Sequence, residues 1–180
     1  NEPISVTPLY TDAGFWKVFT FRFLHGKPFT QADIDAKRRE VVLPVSVARK
    51  LFATDDVVGR RFNMDAQEYR VCGVVEDVSA ATPSSVGDMW LPITLNSWVT
   101  SDATGKLVGS VGIYMTAPDA EDKEALKEEV REVFRKLNLA SDKYMNDLMG
   151  QPDDYWASTF RFDSCSAPDL ASELRMYLYM

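Results

Sequence analysis

Histidine is nearly missing from this 180-residue chain: His25 is the only one, and it sits in a turn beside Gly26 and Pro28. A Ser-His-Asp or Cys-His arrangement must be built around a histidine, and no Gly-x-Ser-x-Gly pattern presents a nucleophile here. His25 therefore reads as a solvated turn residue. Cysteine is scarce as well. Cys72 and Cys165 supply neither a disulfide framework nor a four-thiolate zinc site. Cys72 lies in the apolar run 69–75 and reads as a small buried hydrophobe. A Cys72–Cys165 bond would suit an oxidising compartment, but spacing cannot supply its geometry and the point stays open. Gly-x-Gly-x-x-Gly and Walker patterns are absent, and the Gly-Ser-Val-Gly at 109–112 is too short to cradle a phosphate. There is no internal repeat, no signal peptide and no apolar run near the ~20 residues of a membrane span.

Acidic residues outnumber basic ones, 27 to 20, for a formal net charge of −7. A surface of that sign repels phosphate, which argues against nucleic acid as a partner. The carboxylate pairs Asp55-Asp56, Glu76-Asp77 and Asp153-Asp154 do not make a catalytic dyad. Neighbours on a strand point to opposite faces, so Glu76 and Asp77 diverge, and the other two pairs read as loop charges. Alternating acids with the calcium-loop spacing are missing. The sequence thus offers no catalytic residue, no metal ligand set and no cofactor site. One feature does suggest a ligand pocket: Phe15, Trp16, Phe19, Phe21, Phe23 and Phe29 crowd into a short stretch, although core packing accounts for them as well.

Periodicity gives a string of short elements. Ile4 and Val6 alternate with polar neighbours, a strand signal. Thr11-Asp12 can cap a short helix carrying Phe15, Trp16 and Phe19. Thr30 with Asp33 three residues later predicts a capped helix to Ala36. Residues 40–43 read as a strand, and Ser46 as the cap of a helix whose Val47, Leu51 and Phe52 share one face. Residues 61–64 and 68–78 read as a hairpin around Asp65-Ala66-Gln67. Residues 89–92 read as an edge strand, because Pro92 cannot donate to a central ladder. Further on, 110–116 alternates as a half-buried strand, 121–137 has helical spacing opened by Asp119, and 156–162 alternates again, together a β-α-β unit. Arg135 and Lys136 fall in the last turn of that helix, and its apolar seam is expected to pack on the two strands.

The order of motifs matters more than any one of them. Phe15-Trp16-Lys17-Val18 is followed by Gly26-Lys27-Pro28-Phe29 and the acid Asp33. Val41-Val42-Leu43 precedes a helix with Ala48-Arg49-Lys50-Leu51-Phe52. Val58-Gly59-Arg60-Arg61 turns into a strand pair ending Val71-Cys72-Gly73-Val74-Val75-Glu76-Asp77-Val78, and Trp90-Leu91-Pro92 closes the series. Across residues 15–92 this order resembles the MacB-like periplasmic core domain of MacB/FtsX-type permeases. The matching residues, Phe15, Gly26, Phe29, Asp33, Ala48, Phe52, Gly59, Gly73, Asp77 and Pro92, read as fold-specifying, not catalytic.

The resemblance implies an α+β fold of two lobes. Residues 1–100 would form the smaller mixed α/β lobe. Residues 101–165 would form the β-α-β half of a membrane-proximal lobe that lacks its N-terminal portion. A start without Met fits a piece of a longer protein. Residues 166–180 would be a stalk helix, with Leu170, Leu174, Tyr177 and Leu178 on one face and charge-free tyrosines at its end, leading into a membrane span. The implied function is that of a non-enzymatic periplasmic domain of an inner-membrane ABC-transporter permease, transmitting ATPase-driven motion and contacting substrate. The implied partners are its own transmembrane helices, a cytoplasmic ABC ATPase, a second permease copy or paralogue, and a periplasmic protein or lipoprotein. The competing reading is a stand-alone ligand- or signal-binding module with an aromatic-lined pocket. Having no phosphate-cradling loop, the purified chain should neither bind nor hydrolyse ATP. Micromolar affinity in calorimetry would contradict this.

Overall fold

A computed structural model of the chain describes residues 5–80, 82, 84–100, 111–140 and 152–153. It divides into two units, Asn1–Tyr114 and Met115–Met180. The first is built on a six-stranded mixed sheet. Its strands are β1 (Pro8–Thr11), β2 (Phe23–Gly26), β3 (Glu40–Pro44), β4 (Arg61–Met64), β5 (Gln67–Val75) and β6 (Met89–Pro92). Their order is β1-β6-β3-β5-β2, with β4 also on β5. The β1·β6 and β3·β5 pairs are parallel, whereas β6·β3, β5·β2 and β5·β4 are antiparallel.

Continuous apolar runs make this sheet two-sided. In β3 and β6 every residue is buried, as expected of strands covered on both faces. Alternation sends Val41, Leu43, Met89 and Leu91 to one face, under helix α3 (Val45–Phe52), with Tyr69, Val71 and Val74. Val42, Val75 and Trp90 face the other way, against Phe15 of α1 (Phe15–Val18), Ile34 of α2 (Gln31–Asp35) and Phe29. Each fully buried side chain of this kind contributes about 1.5–3 kcal/mol of transfer free energy.

Residues 89–92 are not the edge strand that Pro92 suggested, since β6 lies between β1 and β3. Pro92 is the last residue of the strand, where its missing N–H interrupts no interior ladder, and the chain turns there into a 3-10 turn, Ile93–Leu95. The edge strand at this end of the sheet order is β1, which starts at Pro8, after Val6; Ile4 lies outside the described residues.

The hairpin forms, but its turn is the two residues Asp65 and Ala66, both at positive φ, 50° and 60°, the geometry of a type I′ turn; Gln67 already belongs to β5, which ends at Val75 and not at residue 78. Thr30 and Asp33 form a full capping box on α2. Ser46 does not cap α3, because the helix already begins at Val45 and Pro44 at its N-cap has no side chain to offer. Instead the Ser46 N–H donates to Asp77 Oδ1 at 3.0 Å, so a carboxylate 31 residues away satisfies an end that the local sequence leaves open.

After the short α4 (Ser97–Thr100) of the first unit, the second unit contributes α5 (Ala120–Ala140). Asp119 Oδ1 accepts from the Asp122 N–H at 2.9 Å, the expected opening. The helix runs on past Leu137, so Arg135 and Lys136 lie more than a turn before its end, and Arg135 pairs with Glu132. None of its described side chains is buried: Val133 is 54% and Leu139 75% exposed. Residues 111–116 form no strand. Alternation supplies two faces but no ladder, and Ile113 is 80% exposed. The expected strand at 156–162 and the stalk helix at 166–180 lie outside the described residues. No described helix is long and apolar enough to cross a membrane.

A cluster of glycines fixes how β5 is flanked. Gly26 has φ +68°, and a Cβ there would lie 2.2 Å from the Cys72 carbonyl oxygen. Gly59 has φ +86° with open space around it. Gly59→Ala should therefore cost only the left-handed backbone strain, about 1–2 kcal/mol. Gly26→Ala adds a backbone clash and should cost about 3 kcal/mol or more. Denaturant melts of the two variants measure this, and equal losses would contradict it.

Candidate functional site

The motif residues are spread through the first unit and do not converge on a pocket. Phe15 and Phe29 are buried on one sheet face, while Ala48 and the half-buried Phe52 pack on the other. Pro92 is fully buried at the end of β6. The glycines do meet, around residues 71–73 of β5. Gly26 pairs with Gly73, Lys27 N–H donates to the Cys72 carbonyl, and Gly59 N–H donates to the Val71 carbonyl. A Cβ on Gly73 would press on Phe23 at 2.7 Å and on the Lys27 carbonyl at 2.8 Å. Cys72 is the extra residue of a bulge, since Val41 pairs with Val71 but Val42 pairs with Gly73. These positions specify a crossing of backbones, which explains both their residue type and their lack of reactive chemistry.

The candidates for chemistry are engaged elsewhere. His25 Nε2 is 3.9 Å from Asp55 Oδ1, and Asp55 is itself held by Arg49. Glu76 pairs with Arg22 while Asp77 caps α3, so the two adjacent carboxylates serve different partners; both follow the end of β5, so strand alternation is not what separates them. Of Asp153-Asp154, only Asp153 is described. Among the described residues no three His, Cys, Asp or Glu side chains are grouped to hold a metal. Cys72 donates its thiol to the Val41 carbonyl at 3.3 Å, and burial, with Glu40 nearby, pushes its pKa up to about 12. A thiol kept protonated in this way is a poor nucleophile. Cys165 lies outside the described residues.

The aromatic cluster is core. Trp16 is its hub, with ring centroids 5.2 Å from Phe21, 5.7 Å from Phe23, 5.4 Å from Phe29 and 6.1 Å from Trp90, all edge to face. The cavity that sequence reading missed lies beside this cluster. It is a cleft of about 510 Å³ between β1, α1, residues 93–99 and residues 111–114. Its walls are mainly apolar and include Leu9, Phe15, Val18, Ile93, Val99 and Ile113. Pairing of β1 with β6, parallel and distant in sequence, sets one wall, so no local pattern could reveal the cleft.

Asp33 is the motif residue with the clearest electrostatic signature. The Thr30 hydroxyl, then the Thr30 backbone N–H, and more weakly Arg38, hold its carboxyl below the usual range. A depressed folded-state value stabilises the fold above about pH 4 and is lost as pH falls through the lowered value. Asp33→Asn should cost about 1 kcal/mol at neutral pH and flatten the acid side of the stability curve. Urea midpoints measured between neutral and strongly acid pH report both effects, and an unchanged acid slope would contradict the assignment.

A model of the MacB-like periplasmic core domain matches residues 1–133. Among solved structures, the extracellular domain of the noncanonic ABC-type transporter YknZ from Gram-positive bacteria is 19% identical. That match covers 75% of this chain and 64% of that one, with a TM-score of 0.52. A domain described as a permease protein from Porphyromonas gingivalis is 18% identical over 84% of this chain and 71% of its own, with a TM-score of 0.53. The periplasmic region of MacB from Actinobacillus actinomycetemcomitans is 22% identical over 68% of this chain, with a TM-score of 0.46. The chain spans 54% of that MacB region and 64% of the YknZ domain. No curated protein matches the chain.

Proposed function

The chain belongs to the MacB-like periplasmic core domain family, and from that membership we propose that it relays motion between a cytoplasmic ATPase and partners outside the membrane. As an extracytoplasmic domain of an ABC-transporter permease, it leaves ATP hydrolysis to a separate subunit. The match over residues 1–133 carries this reading.

The physical character of the first unit supports it. A relay must move as a body, and a sheet covered on both faces with native-like packing resists internal shear. The paired strands β3, β5 and β6 form the stiff middle, and the bulge at Cys72 and the glycine crossing lock β2 to them. The engaged carboxylates and the protonated thiol fit a part that touches and pushes, not one that reacts. Its partners would be its own membrane helices, the ATPase, a second permease copy and a periplasmic protein or lipoprotein.

The test uses the full-length permease with its ATPase in liposomes. Spin labels placed at the exposed positions Lys17→Cys and Lys50→Cys report distances between the two copies. ATP binding should shift both distance distributions, and the shift should reverse after hydrolysis. Unchanged distributions at both positions in a sample that turns over ATP would overturn the relay.

A further inference from the structure

We propose that the cleft beside α1 is a binding site for a small uncharged or cationic amphiphile: an apolar body carrying one hydrogen-bonding group. Its volume, about 510 Å³, falls in the range of about 300–1,000 Å³ typical of small-molecule pockets.

The first observation is where exposed apolar surface collects. Ten large hydrophobic side chains are exposed among the described residues, and four of them, Val99, Val111, Ile113 and Tyr114, line this cleft. Apolar surface gathered at the mouth of a cavity marks a binding surface more reliably than scattered single residues.

The second observation is polar. Thr11 lies on the lining and is 5% exposed, yet among the described residues its hydroxyl has no hydrogen-bond partner. Alternation along β1 puts it on the same face as Leu9, which packs with α1, so it belongs to the floor of the cleft and not to the opposite core. A buried hydroxyl without a partner costs free energy that an entering polar group recovers once the floor adjusts to admit it.

The third observation selects the charge. Among the described residues that line the cleft, Asp12 alone has an acidic or basic side chain. Its Oδ1 already accepts from the Phe15 N–H at 2.8 Å, which holds the carboxylate at the start of α1. An anionic head group would meet this charge and a chain of net −7, so anions are excluded while neutral and cationic heads are accepted.

The cleft lies entirely within the first unit, so this site does not depend on the relay. Failure of either experiment leaves the other standing.

The test is calorimetric titration of the 180-residue chain with octyl glucoside, octyltrimethylammonium and octanoate, each below its micelle concentration. The first two should bind saturably, one per chain, with Kd below about 1 mM, and octanoate at least about tenfold more weakly. Ile113→Glu, at a position 80% exposed and so harmless to folding, should weaken binding of the neutral probe at least about tenfold. Thr11→Val should weaken binding about fivefold while raising the melting temperature of the free chain, because it removes an unsatisfied hydroxyl. A hydroxyl with no ligand role would raise the melting temperature and leave binding unchanged. That result, equal affinity for octanoate, non-saturable uptake, or full binding by Ile113→Glu would each overturn the site.

Discussion

Everything in the first unit depends on how β5 shares its outer edge. One side of this long strand is given to β3, whereas the other serves β4 over residues 67–70 and β2 over residues 73–75. Two strands can follow one another along one edge only if the chains entering and leaving pass very close to β5 at the changeover. Gly26 meets Gly73 there with no room for a Cβ, and Gly59 turns in to bond Val71. The bulge at Cys72 adds the local twist that such a handover needs.

Two-sided burial follows from that arrangement. With β2 and β4 both seated on β5, the sheet is wide enough to hold α3 on one face and α1 and α2 on the other. Side chains that look available for chemistry in the sequence are then spent on architecture. Asp77 closes the end of α3, Asp33 closes α2, Asp55 holds Arg49, and the Cys72 thiol is pressed against the Val41 carbonyl. Buried Glu40 takes a bidentate pair from Arg70 across the β3·β5 ladder, keeping a charge inside only because its partner lies directly opposite in register.

The proposed binding cleft lies at the margin of this sheet. The cleft lies at β1, the edge strand beside β6, and is lined also by residues of α1 and by 111–114. The aromatic residues that suggested a pocket fill the core beside it, because Trp16 can meet five rings edge to face only in a closed cluster.

Local signals carried much of the fold. The Thr30–Asp33 box, the Asp65-Ala66 turn, the buried runs of β3 and β6, and the Asp119 opening of α5 are each decided within a few residues, so the sequence by itself determined them. The order of motifs across residues 15–92 likewise sufficed to identify the family, since each glycine there answers a backbone demand that other residues meet poorly. Tertiary structure alone decided the rest. Pro92 suggested an edge, yet β1 pairs outside β6 and makes it interior. Ser46 offered a cap, yet Asp77 reached the helix end from 31 residues away. Residues 110–116 alternated like a strand, but a strand exists only when another accepts its hydrogen bonds, and alternation encodes a face, not a partner. The cleft, Thr11 and its unpaired hydroxyl depend on pairing between residues about eighty positions apart, and no reading of neighbours along the chain can supply that.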